Sequence, residues 1–83
     1  MKPVTIYTKE TCGYCQSAKR LLGDKRVAYT EIPVDEPQAQ KLMAERSGRW
    51  SVPQIFIGGA HVGGCDDLHA LERAGRLDAL LAD

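Results

Sequence analysis

KETCGYCQSAKRLL, running from Lys9 to Leu22, holds two cysteines three positions apart at the point where the local pattern of the chain changes. Ahead of it, PVTIYT (Pro3 to Thr8) is dominated by β-branched and aromatic residues. Pro3 stands at its start, where a missing N–H is tolerated, so the segment reads as a strand. From Tyr14 onward the period changes: Ala18, Leu21 and Leu22 recur at helical spacing, Lys19 and Arg20 are left for solvent, and Gly23 offers a stop. Cys12 and Cys15 therefore fall where a strand hands over to a helix. Two thiols so placed can be metal ligands, a structural staple or a working redox pair.

The rest of the chain extends the pattern. VAYTEIPV (Val27 to Val34) reads as a second strand with Val27, Tyr29 and Ile32 as packing candidates, after which Asp35 and Pro37 signal a helix start. Leu42 and Met43 should anchor that helix, which should end near Gly48. PQIFI then makes a third strand, Gly58 and Gly59 turn the chain, and AHV forms a fourth strand of a hairpin. DDLHALERAGRLDALL carries Leu68, Leu71, Leu77, Leu80 and Leu81 and reads as one helix, or two broken at Gly75. The order β-α-β-α-β-β-α requires a parallel first pair joined by a right-handed crossover, and an antiparallel hairpin later. The fold class expected is α/β, a four-stranded mixed sheet with helices on both faces. No repeat, low-complexity tract or long linker divides residues 1–83, which read as one domain.

Composition narrows the chemistry. A chain of 83 residues with 11 basic and 11 acidic side chains has room for one core, which at this size forms without metal or disulfide support. Zero formal net charge removes the broad field that nonspecific nucleic-acid or membrane-surface binding needs. The N-terminus lacks an apolar signal core, and there is no apolar run of membrane-spanning length, so the reading is cytoplasmic. In a reducing compartment, 3 cysteines are catalytic, metal-binding or simply buried rather than a permanent framework.

A helix N-terminus offers unsatisfied N–H groups and a partial positive charge, and both favour a thiolate at Cys12. Cys15, nearly one turn on, should lie deeper and be the protected partner, so that Cys12 attacks and Cys15 resolves. Lys9 either strengthens the local positive field or is an ordinary solvated lysine. The competing reading is zinc held by Cys12, Cys15, His61 and Cys65. It is the weaker one, because compact zinc modules show a second closely spaced ligand pair, and His61 and Cys65 are separated by a double glycine. His61 then decorates the hairpin. Cys65 is either a small half-buried residue at a helix start or a further redox group.

TKETCGYC, SVPQIFIGG and HVGGCDDL, in this order and at these separations, resemble glutaredoxin, most nearly the small bacterial dithiol type, and the resemblance covers essentially the whole chain. It implies a thioredoxin-like fold, a cis peptide between Val52 and Pro53, and glutathione as co-substrate with no tightly bound cofactor. It also implies a division of roles around glutathione. The backbone of Val52 would pair with the cysteinyl part, with Pro53 beside the sulfurs and Tyr14 flanking. The N–H groups of Cys65 and Asp66, after Gly63 and Gly64, would receive the γ-glutamyl carboxylate. Asp67 would take the amine, and Lys9 and Gln40 the glycine carboxylate.

The activity implied is reduction of protein disulfides and glutathionylated proteins by a monomer that binds neither nucleic acid nor membrane. The same fold in a redoxin fed by thioredoxin reductase is the neighbouring alternative. Two positions depart from the common family pattern: Gly13 stands where proline is usual, and Trp50 where a small or polar residue is usual. Gly13 motivates a second state, a homodimer bridged by a [2Fe-2S] cluster on Cys12 and glutathione from each subunit. Trp50 is either a stacking surface for a protein substrate or a lid on the helix end.

Overall fold

The first strand, β1 (Val4–Thr8), shows why the sheet is covered on both sides. In the computed structural model, which describes residues 1–82, Val4 and Ile6 pack into one apolar cluster while Tyr7, between them and Thr8, packs into another. Successive side chains of a strand point to opposite faces, so one short segment feeds two layers. A crossover through α1 (Gly13–Asp24) leads to β2 (Thr30–Pro33), which lies parallel to β1 with Ile6 opposite Glu31. After α2 (Pro37–Ser47), β3 (Gln54–Ile57) runs antiparallel to β1 on its other side, Ile6 facing Ile55, and β4 (Ala60–Gly63) completes the hairpin. The sheet order is β2-β1-β3-β4, as a mixed four-stranded sheet. Gly58 and Gly59 have φ of 58° and 87°, the pair of positive angles a two-residue hairpin turn demands.

The larger cluster lies between the sheet and the helices α1, α3 (Cys65–Arg73) and α4 (Leu77–Leu81). It joins Val4, Ile6 and Ile55 to Ala18, Leu22 and Leu68, among others. The smaller one, on the α2 side, gathers around Tyr7, Val34 and Met43. Lys25, just past α1, pairs with Glu72 of α3 at 2.9 Å and Asp78 of α4 at 2.8 Å. It ties three helix ends together at the pole opposite the N-terminus of α1.

Several local expectations need correction. Gly23 lies inside α1, which ends one residue later at Asp24, with Lys25 as C-cap, in a Schellman turn: Val27 N–H donates to Leu22 O and Arg26 N–H to Gly23 O, both at 2.9 Å. The left-handed position is taken by Arg26, with φ 58°. The second strand begins only at Thr30, although Val27 is in the core. Glu36 rather than Asp35 occupies the N-cap of α2, with Pro37 next. Leu42 is 59% exposed, because it stands about 100° around the helix from Met43, which alone is fully buried on the sheet-facing stripe. Lys19 is not simply solvated but pairs with Glu31 at 3.1 Å. Of the two readings of the C-terminal segment, two helices broken at Gly75 is the one observed: the φ of 70° at Gly75 closes a second Schellman turn through Arg76 N–H to Leu71 O.

Candidate functional site

Three segments meet at the N-terminal end of α1. The first is the junction after β1: Cys12 is the N-cap residue of α1, in extended backbone, and its Sγ accepts the N–H of Cys15 at 3.1 Å. The second is the segment before β3. Here the Cys12 thiol donates to the carbonyl oxygen of Val52 at 3.8 Å, and the Val52–Pro53 peptide is cis. The third is the start of α3, which approaches closely enough that a Cβ on Gly64 would stand 3.4 Å from the carbonyl oxygen of Pro53. Between them lies a groove of about 280 Å³ lined by Tyr14, Ser51, Val52, Pro53, Cys65 and Asp66.

The two thiols of the junction have opposite surroundings. Cys12 is half-buried, whereas Cys15, on the inner face of α1 with Ala18 and Leu22, has no exposed surface. Burial pushes the Cys15 thiol up from 9.0 to about 12, and its contact with Cys12 adds to the rise. A backbone hydrogen bond from Lys9 and the charge of Lys19 pull the other way without cancelling it. The pair is thus one reachable sulfur held by a helix N–H and one sheltered sulfur that stays protonated at rest.

Asp67 has an intramolecular task. Its Oδ2 accepts the N–H of Gly64 at 2.9 Å, closing the first turn of α3, and meets Arg49 Nη1 at 3.3 Å. The Gly64 N–H, and after it Arg49, hold the carboxyl below its usual range. Gly63, at φ 121°, leaves space that a Cβ would fill by colliding with this carboxylate.

Of the residues singled out from the sequence, Tyr14, Val52, Pro53, Cys65 and Asp66 line the groove, and Tyr14 is 68% exposed. Lys9 instead lines a separate polar groove with Thr8, Gln16, Lys19 and Glu31. Gln40 donates to the carbonyl oxygen of Trp50 at 3.3 Å and lines neither. His61 bonds the buried Gln54 at 2.7 Å rather than joining the cysteines. Among the described residues, no three His, Cys, Asp or Glu side chains gather to hold a metal ion, and all three cysteines are free. Arg49 and Ser51 were not singled out. Arg49 lies in no periodic segment and meets its partner 18 residues on. Ser51 is held by Gln54 Nε2, which donates to its carbonyl oxygen at 2.9 Å, a contact with no signature in the sequence.

Comparison with known proteins agrees with this geometry. The glutaredoxin family model matches residues 4–62. A glutaredoxin of Pseudomonas aeruginosa is 57% identical over 83 residues, covering 99% of each chain, and glutaredoxin 3 of Escherichia coli K12 is 56% identical over 82 residues, 98% of this chain and 99% of that one. Among solved structures, a complex of buckwheat glutaredoxin with glutathione superposes with a TM-score of 0.87 at 33% identity, over 96% of this chain and 76% of that one. The chain belongs to the glutaredoxin family, the glutathione-dependent thiol–disulfide oxidoreductases of thioredoxin-like fold.

Proposed function

We propose that Cys12 is the attacking thiolate and Cys15 the resolving thiol, and that the groove beside them takes glutathione. The observation that carries this reading is the asymmetry of the pair: Cys12 is half-buried and bonds the carbonyl of Val52, a residue of the groove wall, whereas Cys15 has no exposed surface. In the dithiol route Cys12 opens a protein disulfide, Cys15 displaces the substrate thiol, and two glutathiones restore the pair. In the monothiol route Cys12 takes glutathione from a glutathionylated protein.

Glutathione is an extended peptide, and the groove walls suit its parts. The Val52 backbone pairs with the cysteinyl unit as a short added strand, and Tyr14 flanks it. The N–H groups of Cys65 and Asp66 at the start of α3 receive the γ-glutamyl carboxylate. Asp67 meets the amine, sharing a carboxylate already engaged by Gly64 and Arg49. The glycine carboxylate falls to Lys9 and Gln40, which like Asp67 stand outside the groove walls. The protein substrates are cytoplasmic proteins carrying disulfides or glutathione, and residues 1–83 act as a monomeric unit.

The test is a pair of variants in two assays. Cys12→Ser should abolish both routes, while Cys15→Ser should keep deglutathionylation and lose most dithiol reduction. Greater damage from Cys15→Ser with a glutathionylated substrate would reverse the two roles. Turnover with thioredoxin reductase and NADPH but not with glutathione and glutathione reductase would instead favour the redoxin alternative. The cluster-bridged homodimer draws on one observation: a Cβ at Gly13 would meet nothing within 4 Å, so neither packing nor a positive φ requires glycine there. Anaerobic reconstitution with iron, sulfide and glutathione that leaves a colourless monomer, in both native protein and Cys15→Ser, would remove it.

A further inference from the structure

The polar groove behind the redox pair contains an ion-pair chain that the thiol chemistry above does not use. Thr8, at the end of β1 and 2% exposed, donates its hydroxyl to Glu31 Oε2 at 2.6 Å. Lys19 Nζ donates to the same oxygen at 3.1 Å, and the Lys19 side chain is only 19% exposed. Lys19 stands four residues after Cys15 on α1, so the two lie on one face of the helix, one turn apart. Glu31 on β2 thus draws the ammonium in towards the sheet rather than leaving it to swing in solvent.

We propose that Lys19, anchored by Glu31 and Thr8, is a positioning residue for the resolving step, holding a fixed positive charge near the Cys15 sulfur as negative charge develops on it. The inference rests on Cys15 being the resolving thiol. In that step the Cys15 thiol gives its proton to solvent and its sulfur attacks Cys12 Sγ of the mixed disulfide. The Cys15–Cys12 bond forms, the bond from Cys12 to the substrate sulfur breaks, and the electron pair leaves on the substrate thiolate, which takes up a proton. Two electrons stay within the sulfurs, so no outside oxidant is needed.

Buried surroundings disfavour charge on Cys15, and the charge of Lys19 is the nearby side-chain influence that acts against them. Lys9, in the same groove, contributes through its backbone hydrogen bond instead. The two acids sharing the groove, Glu10 and Asp35, are exposed, where screening weakens their effect.

The experiment mixes the reduced protein with glutathione disulfide, quenches with acid, and follows two species by intact mass: the Cys12–glutathione mixed disulfide and the Cys12–Cys15 disulfide. Lys19→Met should leave formation of the mixed disulfide unchanged and slow its internal resolution roughly 3- to 10-fold, the range for losing one partly screened charge. Lys19→Arg, which keeps the charge, should restore most of the rate. In a Cys15→Ser background Lys19→Met should change nothing. Resolution at the native rate in Lys19→Met, with the internal disulfide still forming, overturns the proposal alone. Failure of native protein to form a Cys12–Cys15 disulfide at all overturns both the proposal and the assignment of Cys15 on which it rests. Equal slowing of both steps in Lys19→Met, with no rescue by Lys19→Arg, makes Lys19 a structural residue and also overturns it.

Discussion

Cys12 and Cys15 have the same side chain and lie three residues apart, and their environments make different reagents of them. Cys12 caps a helix in half-exposed surroundings, while Cys15 has no exposed surface and a thiol pushed up to about 12. Brief treatment of the reduced native protein with iodoacetamide at neutral pH should therefore label Cys12 and spare Cys15 and the buried Cys65, as read by peptide mapping. Labelling of Cys15 at a comparable rate would contradict the geometry. The same raised value makes stability depend on alkaline pH. The unfolded chain ionises Cys15 from about pH 9 while the folded chain does not. The stabilisation is therefore complete below the unfolded value of 9.0 and is lost as pH rises towards the folded value of about 12. Urea midpoints of the reduced protein should fall over this interval, and the fall should be shallower in Cys15→Ala.

Helix ends carry much of the local specification. α1 closes with Arg26 at φ 58°, a conformation that costs a side-chain-bearing residue about 1 kcal/mol or more, less the entropy that glycine itself forfeits. Arg26→Gly should accordingly raise stability by up to about 1 kcal/mol. Chemical denaturation would show it, and a loss of stability would mean that Arg26 makes a compensating contact.

α3 opens with the Asp67 carboxylate on the Gly64 N–H, so Asp67 serves the fold as well as the amine contact proposed for it. Asp67→Ala should cost about 1 kcal/mol of stability in addition to any weakening of glutathione use. Since its folded value is depressed, the contribution is present above its unfolded range and disappears as pH falls through the lowered folded value. Native protein and Asp67→Ala should therefore converge in stability on acidification below about pH 4.

At the scale of the molecule, the site exists because the two central strands and two helices converge. β1 and β3 pair at Ile6 and Ile55, both fully buried, and the same cluster holds Leu22 of α1 and Leu68 of α3. The sulfurs and the start of α3 are thereby fixed to one rigid layer. Ile55→Ala, a cavity at its centre, should cost roughly 2–5 kcal/mol, a large part of the ~5–15 kcal/mol typical of a small domain. Met43→Ala, in the smaller layer under α2, leaves the layer of Ile6 and Ile55 untouched and reaches the site only through Val52, which packs at the edge of the Met43 cluster. Equilibrium unfolding combined with dithiol activity should show Ile55→Ala losing both together, and Met43→Ala losing stability with less effect on turnover of the folded protein.

Local signals determined much of this. The shift from alternation in PVTIYT to helical spacing in QSAKRLL set the strand-to-helix junction, because each period describes one backbone geometry. Gly58–Gly59 and Gly75 marked turns that require positive φ. What failed were inferences needing a partner distant in the chain. Gly23 read as a helix stop, but packing of Leu22 and Val27 into one cluster carried the turn on to Arg26. Leu42 read as an anchor, but the sheet reaches only the stripe of α2 that holds Met43.

The site divides the same way. Its junction and its glycine-rich third segment were legible as motifs, and placement of Cys12 beside Val52 required the two to meet across 40 positions of sequence. Arg49 on Asp67, Gln54 under Ser51, and Lys19 drawn to Glu31 have no periodicity to reveal them. Only the tertiary structure decided those contacts, because a side chain's charge or hydrogen bond takes its meaning from which surface the fold brings opposite it.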